Sequence, residues 1–221
     1  MVKYYIYGLQ RSGTNVINAF INDNFDINIV NNNHQERNDP QHKHFRIYDD
    51  KSFIPLTLRH QYGNNIIIKN YKDLEKLIGA NSKCFVVIKD VFAWFISIKK
   101  WALSCNWNVC DYYTLVEEYN KYVEKWYDIM KTSNGNILII NYHEYIELLS
   151  DNNMKLINRI ENFTQSKIKS FKIRNNVQCS PTFTREKLEY YKKKKYMNDY
   201  SEEEKRKILN IVHTPNQISI F

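Results

Sequence analysis

The sequence is poor in the residues that punctuate or staple a chain: 5 Gly, 4 Pro and 4 Cys among 221 residues. So little Gly and Pro, beside 43% hydrophobic, 14% aromatic and 25% charged residues, excludes collagen-like, low-complexity and disordered classes. Four scattered cysteines, Cys84, Cys105, Cys110 and Cys179, are too few for a disulfide framework, and they read as free thiols of a reducing compartment. Cys105 and Cys110 have no second Cys or His pair at ligand spacing nearby, which argues against zinc. No apolar run approaches the roughly 18 residues of a membrane span. The opening Met1-Val2-Lys3-Tyr4-Tyr5-Ile6-Tyr7 is too short and too aromatic for a signal peptide. The expectation is a soluble, cytoplasmic protein without a metal.

What is present is enough for one large core, since single cores run to about 250 residues. Lys plus Arg exceed Asp plus Glu by 32 to 24, giving +8, which points to an anionic partner: nucleic acid, a membrane surface or a phosphorylated small molecule. Nearly continuous apolar runs at Tyr4 to Tyr7, Ile66 to Lys69, Phe85 to Ile88 and Ile137 to Ile140 have the pattern of strands buried on both faces. Between them lie helical spacings, the clearest at Tyr112 to Lys131. Shorter ones occur at Asn15 to Asn24, Tyr71 to Ile78, Phe92 to Leu103 and Met154 to Phe163. Strand and helix in alternation predict a three-layer αβα fold with a mostly parallel sheet, which places ligands at the carboxyl ends of its strands.

Residues 31 to 63 are polar, Asn-rich and aperiodic, and carry His34, His42, His44 and His60. Long irregular segments inside compact domains are more often functional than structural. The tail from Thr184 is basic at Lys192 to Lys195 and then reads Ser201-Glu202-Glu203-Glu204, a capping box opening a last helix. The expectation is one domain over 1–221, with 184–221 its helical extension.

Gly8-Leu9-Gln10-Arg11-Ser12-Gly13-Thr14-Asn15 follows a strand and precedes a helix, the context of a phosphate-binding loop. Its glycines have P-loop spacing, but Thr14 and Asn15 stand where a nucleoside triphosphatase needs lysine and a hydroxyl. That disfavours metal-dependent ATP or GTP hydrolysis. It leaves a helix N-terminus and Arg11 as an anion site, or else a plain tight turn. Further on, Lys89 ends a buried strand and Ser97 follows it at eight residues, so that a cation and a hydroxyl can share one phosphate. A third strand ends in a polar aromatic turn, Asn141-Tyr142-His143-Glu144-Tyr145.

Together these three segments resemble the sulfotransferases that use 3'-phosphoadenosine-5'-phosphosulfate (PAPS). The resemblance runs in order and spacing over about residues 3 to 165. It implies a P-loop-like phosphate loop in which Arg11, Ser12, Gly13, Thr14 and Asn15 hold the 5'-phosphosulfate, while Lys89 and Ser97 hold the 3'-phosphate. Lys89 departs from the family's usual arginine, keeping the charge and losing the fork. Lys69-Asn70-Tyr71 matches the family's Lys-Thr-His step without its histidine, so Lys69 is expected beside the sulfuryl group. Gln41-His42-Lys43-His44-Phe45-Arg46 resembles stretches that carry the base in other branches, and His44 is the expected base, with His42 second.

The resemblance thus implies sulfuryl transfer from PAPS to an acceptor hydroxyl, with adenosine 3',5'-bisphosphate (PAP) as product. The acceptor is a small molecule, glycan or peptide. A nucleotide-binding protein without catalysis and a nucleoside or nucleotide kinase stand as alternatives. Nucleic acid and membrane are not expected partners: the Lys192 to Lys195 run reads as a solvated face.

Overall fold

The computed structural model describes residues 1–33, 35, 39–47, 68–106, 112–174 and 183–212. Among these, three parallel strands lie in the order β1 (Lys3–Gly8), β2 (Ser82–Ile88), β3 (Ile137–Asn141). Tyr5 pairs with Cys84 and Tyr7 with Val86 in one ladder, and Val86 pairs with Ile139 in the next. The strands alternate with helices α1 (Thr14–Asn24), α2 (Tyr71–Ile78), α3 (Val91–Ser104) and α4 (Tyr112–Lys131). After β3 come α5 (Tyr142–Asp151), α6 (Lys155–Thr164), α7 (Arg185–Lys192), a 3-10 turn at Lys195–Asp199, and α8 (Glu202–Ile211).

Every strand is apolar on both faces, and each face has its own core. Tyr5, Tyr7, Val86, Ile88 and Ile139 pack with Leu74 of α2, Trp94 of α3 and Trp126 of α4. Tyr4, Ile6, Phe85, Val87 and Ile140 pack with Ile17 of α1, Ile146 of α5 and Ile160 of α6. Helices therefore cover both faces of a parallel sheet, an α/β architecture compatible with three αβα layers. The α8 capping box forms as the sequence indicates, with Ser201 and Glu204 exchanging bonds across the first turn.

Two expectations are corrected. The run from Ile66 to Lys69 was expected to be a strand; Ile66 and Ile67 lie outside the described residues, and Ile68 and Lys69 are irregular. Asn70 caps α2 by accepting from the Asp73 amide, while the exposed Lys69 donates its own amide to Asp73. The polar stretch after β3 is a helix rather than a turn. Asn141 and Glu144 close a capping box, and Arg159 donates to Glu144 and, at 2.6 Å, to the Ile139 carbonyl. Cys110, Cys179, His34, His60 and His213 lie outside the described residues.

Candidate functional site

The sheet's carboxyl edge opens into a cavity of about 1140 Å³. Arg11, Lys43, Lys89, Lys100 and Lys187 line it against the single carboxylate of Glu186, so its described walls favour an anion.

The floor is the β1–α1 loop. Arg11 has φ 68° and Gly13 φ 101°, a reversal that turns the chain into α1 with no side-chain cap on the helix's first amides. Gly13 is required twice over: besides its φ, a Cβ there would lie 2.4 Å from the Tyr142 ring. A Cβ on Gly8 would lie 2.4 Å from Ser12 Oγ and 2.6 Å from Thr14 Cγ2. The Trp94 indole donates to the Gln10 carbonyl at 2.8 Å and ties the loop to α3. Arg11, Gly13, Thr14 and Asn15 line the cavity. The Ser12 hydroxyl is turned inward against Gly8 and is buried.

One wall is built on the end of β2. Lys89 is 5% exposed, and its ammonium donates to Ser97 Oγ at 2.7 Å and lies 3.4 Å from the Tyr191 hydroxyl. It also lies over the rings of Tyr142 and Tyr191, at 5.3 and 4.9 Å from their centroids. Burial, reinforced by the nearby charge of Arg11 and opposed by Asp90, lowers its pKa to about 7. Asp90 caps α3 by accepting from the Ala93 amide at 3.0 Å. The expected cation and hydroxyl are thus brought together on one wall of the cavity.

The opposite wall is a turn over residues 39–45, stitched to β1 where Gly8 N donates to the Lys43 carbonyl at 3.0 Å and Tyr7 OH to the Pro40 carbonyl at 2.7 Å. His44 lines the cavity with Nδ1 at 2.8 Å from the Gly8 carbonyl. A carbonyl only accepts, so Nδ1 carries the proton of the neutral ring and Nε2 keeps a lone pair. Burial, with Lys43, His42 and Arg46 nearby, holds the pKa well below the usual 6.5 and keeps the ring neutral. His42 is more deeply buried, and its Nδ1 accepts the His44 amide at 3.0 Å. Of the two rings, His44 has the better-defined basic nitrogen.

Lys69 is not part of this site. It precedes α2, whose Tyr71 amide donates to Thr132 Oγ1 and whose Tyr71 hydroxyl donates to the Ser82 carbonyl. Ser82 begins β2, so Lys69 belongs to the amino edge of the sheet, opposite the cavity.

Other residues of the site were not singled out by sequence reading. Arg46, almost wholly buried, donates to Glu118 Oε1 (2.7 Å), the His44 carbonyl (2.8 Å) and Gln10 Oε1 (2.5 Å). The signal for it was Glu118, a carboxylate on the α4 stripe that otherwise reads Leu115, Tyr119 and Tyr122. Lys43, Tyr142 and Tyr191 also line the cavity. No family model matches the chain, and no curated protein matches its sequence. No group of three or more His, Cys, Asp or Glu able to hold a metal is found among the described residues, and no helix among them is long and apolar enough to cross a membrane.

Proposed function

We propose that the chain is a PAPS-dependent sulfotransferase. The observation that carries this reading is the presence of two separate anion-holding features in one cavity: the uncapped α1 N-terminus with Arg11, and the Lys89–Ser97 pair. A donor phosphorylated at both its 5' and 3' positions matches two such features, and neither requires a metal. The loop then serves as the P-loop-like element, with Arg11 and the backbone around Gly13 to Asn15 as donors to the 5'-phosphosulfate. Lys89 and Ser97 take the 3'-phosphate.

In this reading His44 Nε2 takes the proton of the acceptor hydroxyl as its oxygen bonds to sulfur. The bond from sulfur to the 5'-phosphate oxygen breaks, and its electron pair leaves on that oxygen to give PAP. Arg11 and the α1 amides stabilise the charge that gathers there. Lys69, once placed beside the sulfuryl group by resemblance, has no part in the step. Loss of lysine after Gly13 weighs against a kinase.

Thermal shift tests the site. PAP without magnesium is expected to raise the melting temperature by several degrees, and ATP with magnesium to do markedly less. The reverse order would favour a kinase. Transfer of labelled sulfate from PAPS to an acceptor panel then separates an enzyme from a binding protein.

A further inference from the structure

Lys89 brings three features together on one amine. It lines the cavity, where a small molecule can meet it. It is 5% exposed, so water solvates its charge poorly. Its hydrogen-bond partners are hydroxyls, Ser97 Oγ at 2.7 Å and Tyr191 OH at 3.4 Å, where a buried ammonium ordinarily has a carboxylate.

The donor count favours the amine over the ammonium. An ammonium has three N–H donors and an amine has two. Two acceptors are found for Lys89 among the described residues; they satisfy an amine and leave the ammonium's third donor to the ring faces of Tyr142 and Tyr191. Those faces offset part of the loss. Arg11, on the same cavity, opposes a second positive charge. The acidic groups around the amine answer it weakly: burial keeps the Tyr142 and Tyr191 phenols protonated, and Asp90 uses Oδ1 on the Ala93 amide. A lysine in water is neutral to only about 10⁻³ at pH 7. One that is desolvated beside another cation has the lone pair of a nucleophile.

The rest of the cavity selects what this lone pair meets. The uncapped first amides of α1, with Arg11, favour an anion. A molecule that carries both a phosphate and an aldehyde is held by the one and reacts at the other.

We propose that Lys89 is a carbonyl-condensing amine, and that the cavity captures phosphorylated aldehydes as a reversible imine on its Nζ. The nitrogen lone pair bonds to the carbonyl carbon, the carbonyl oxygen takes both amine hydrogens and leaves as water, and a C=N bond remains. Neither oxidant nor reductant is consumed, and water reverses the step. It uses the anion-holding cavity and not sulfuryl transfer, so it goes beyond the sulfotransferase reading; where both hold, such an aldehyde and PAP exclude each other.

The full chain would be treated briefly with pyridoxal 5'-phosphate at pH 7, the imine reduced with borohydride to a secondary amine, and the adducts mapped by peptide mass spectrometry. Lys89 is expected to take label about tenfold or more faster than Lys100 and Lys187, exposed lysines on the same cavity. 5-Deoxypyridoxal, an aldehyde without the phosphate, should label Lys89 at least about tenfold more slowly. Lys89→Arg should reduce total incorporation to that of the exposed lysines, with circular dichroism reporting that it folds; the wild-type map decides the matter if it does not. Label spread over exposed lysines with Lys89 no faster overturns the inference, as does equal labelling of Lys89 by the two aldehydes. PAP is expected to protect Lys89. Selective labelling that PAP leaves untouched keeps this inference and removes Lys89 from the PAP site. PAP binding by calorimetry without selective labelling removes this inference and keeps the sulfotransferase reading.

Discussion

Arg46 Nε lies 2.7 Å from Glu118 Oε1, with the two side chains 4% and 1% exposed, and the same guanidinium reaches the His44 carbonyl and Gln10 Oε1. One buried ion pair therefore anchors both the segment that carries the candidate base and the loop that floors the cavity. Removing one partner of such a pair costs about 3–5 kcal/mol, whereas replacing both with apolar residues is often neutral. Glu118→Gln is expected to lower urea stability by an amount of that order. Arg46→Met with Glu118→Leu should recover most of the stability while sulfate transfer stays at least tenfold down. Recovery of both together would show that the pair serves stability alone.

Gly13 and Gly135 separate backbone strain from steric overlap. Both have positive φ, 101° and 81°, but a Cβ on Gly13 meets the Tyr142 ring at 2.4 Å, while one on Gly135 has nothing within 4 Å. Gly135→Ala is expected to cost roughly 1 kcal/mol, the ordinary penalty for an L residue in this region. Gly13→Ala adds overpacking of about 1–3 kcal/mol and should abolish the melting shift given by PAP. Chemical denaturation of the two variants side by side checks this; equal losses would mean that the Tyr142 ring moves aside freely.

What was legible in the sequence was whatever the chain encodes locally. β1, β2 and β3 were visible because strands buried on both faces are apolar without interruption, and the loop was visible because Gly8 and Gly13 bracket it. Lys89 and Ser97 lie eight residues apart on one strand-to-helix element, so their meeting at 2.7 Å follows from helix geometry. Arg46 and Glu118 are 72 residues apart, and no local pattern pairs them. Lys69 was placed beside the sulfuryl group by the match of a three-residue step alone, and Lys69-Asn70-Tyr71 is instead the lead into α2, with Asn70 as its cap. Helix α5 was missed because Asn141 and Glu144 were read as a polar turn rather than as the two ends of a capping box.

Lys89 makes ligand binding depend on pH. With a pKa of about 7, lowered by burial and then by Arg11, the unliganded group loses its charge as pH rises past neutrality. A bound phosphate favours the ammonium and raises that pKa, so affinity is fully present below pH 7 and declines above it, by up to about tenfold per unit. Calorimetry with PAP at pH 7, 8 and 9 is expected to show that decline in the wild type. Lys89→Arg, whose guanidinium stays charged, should flatten it. Folding runs the other way: between pH 7 and about 10 the unfolded lysine holds more protons than the folded one, so Lys89 makes stability rise with pH. A wild-type PAP affinity flat from pH 7 to 9 would falsify the placement of Lys89 at a phosphate.

His44 and Lys69 give opposite expectations from the two ends of the sheet. His44→Ala removes the one ring whose Nε2 is left basic by the bond to Gly8, and a general base is worth about 10²–10⁴-fold in rate. Turnover should fall by that factor while PAP binding holds, since the ring bonds to the loop's carbonyl and not to its amides. Lys69→Ala should leave turnover and PAP binding within twofold of wild type, because its backbone anchors α2 at the amino edge. The pH profile adds a sign. A base is active when neutral, and the His44 pKa is held well below 6.5 by burial. The limb of kcat controlled by this group is therefore flat from about pH 6.5 upward and falls only at more acid pH. Stopped assays from pH 5 to 8 measure it, and an acid limb that His44→Ala leaves in place but His42→Ala abolishes would transfer the role to His42.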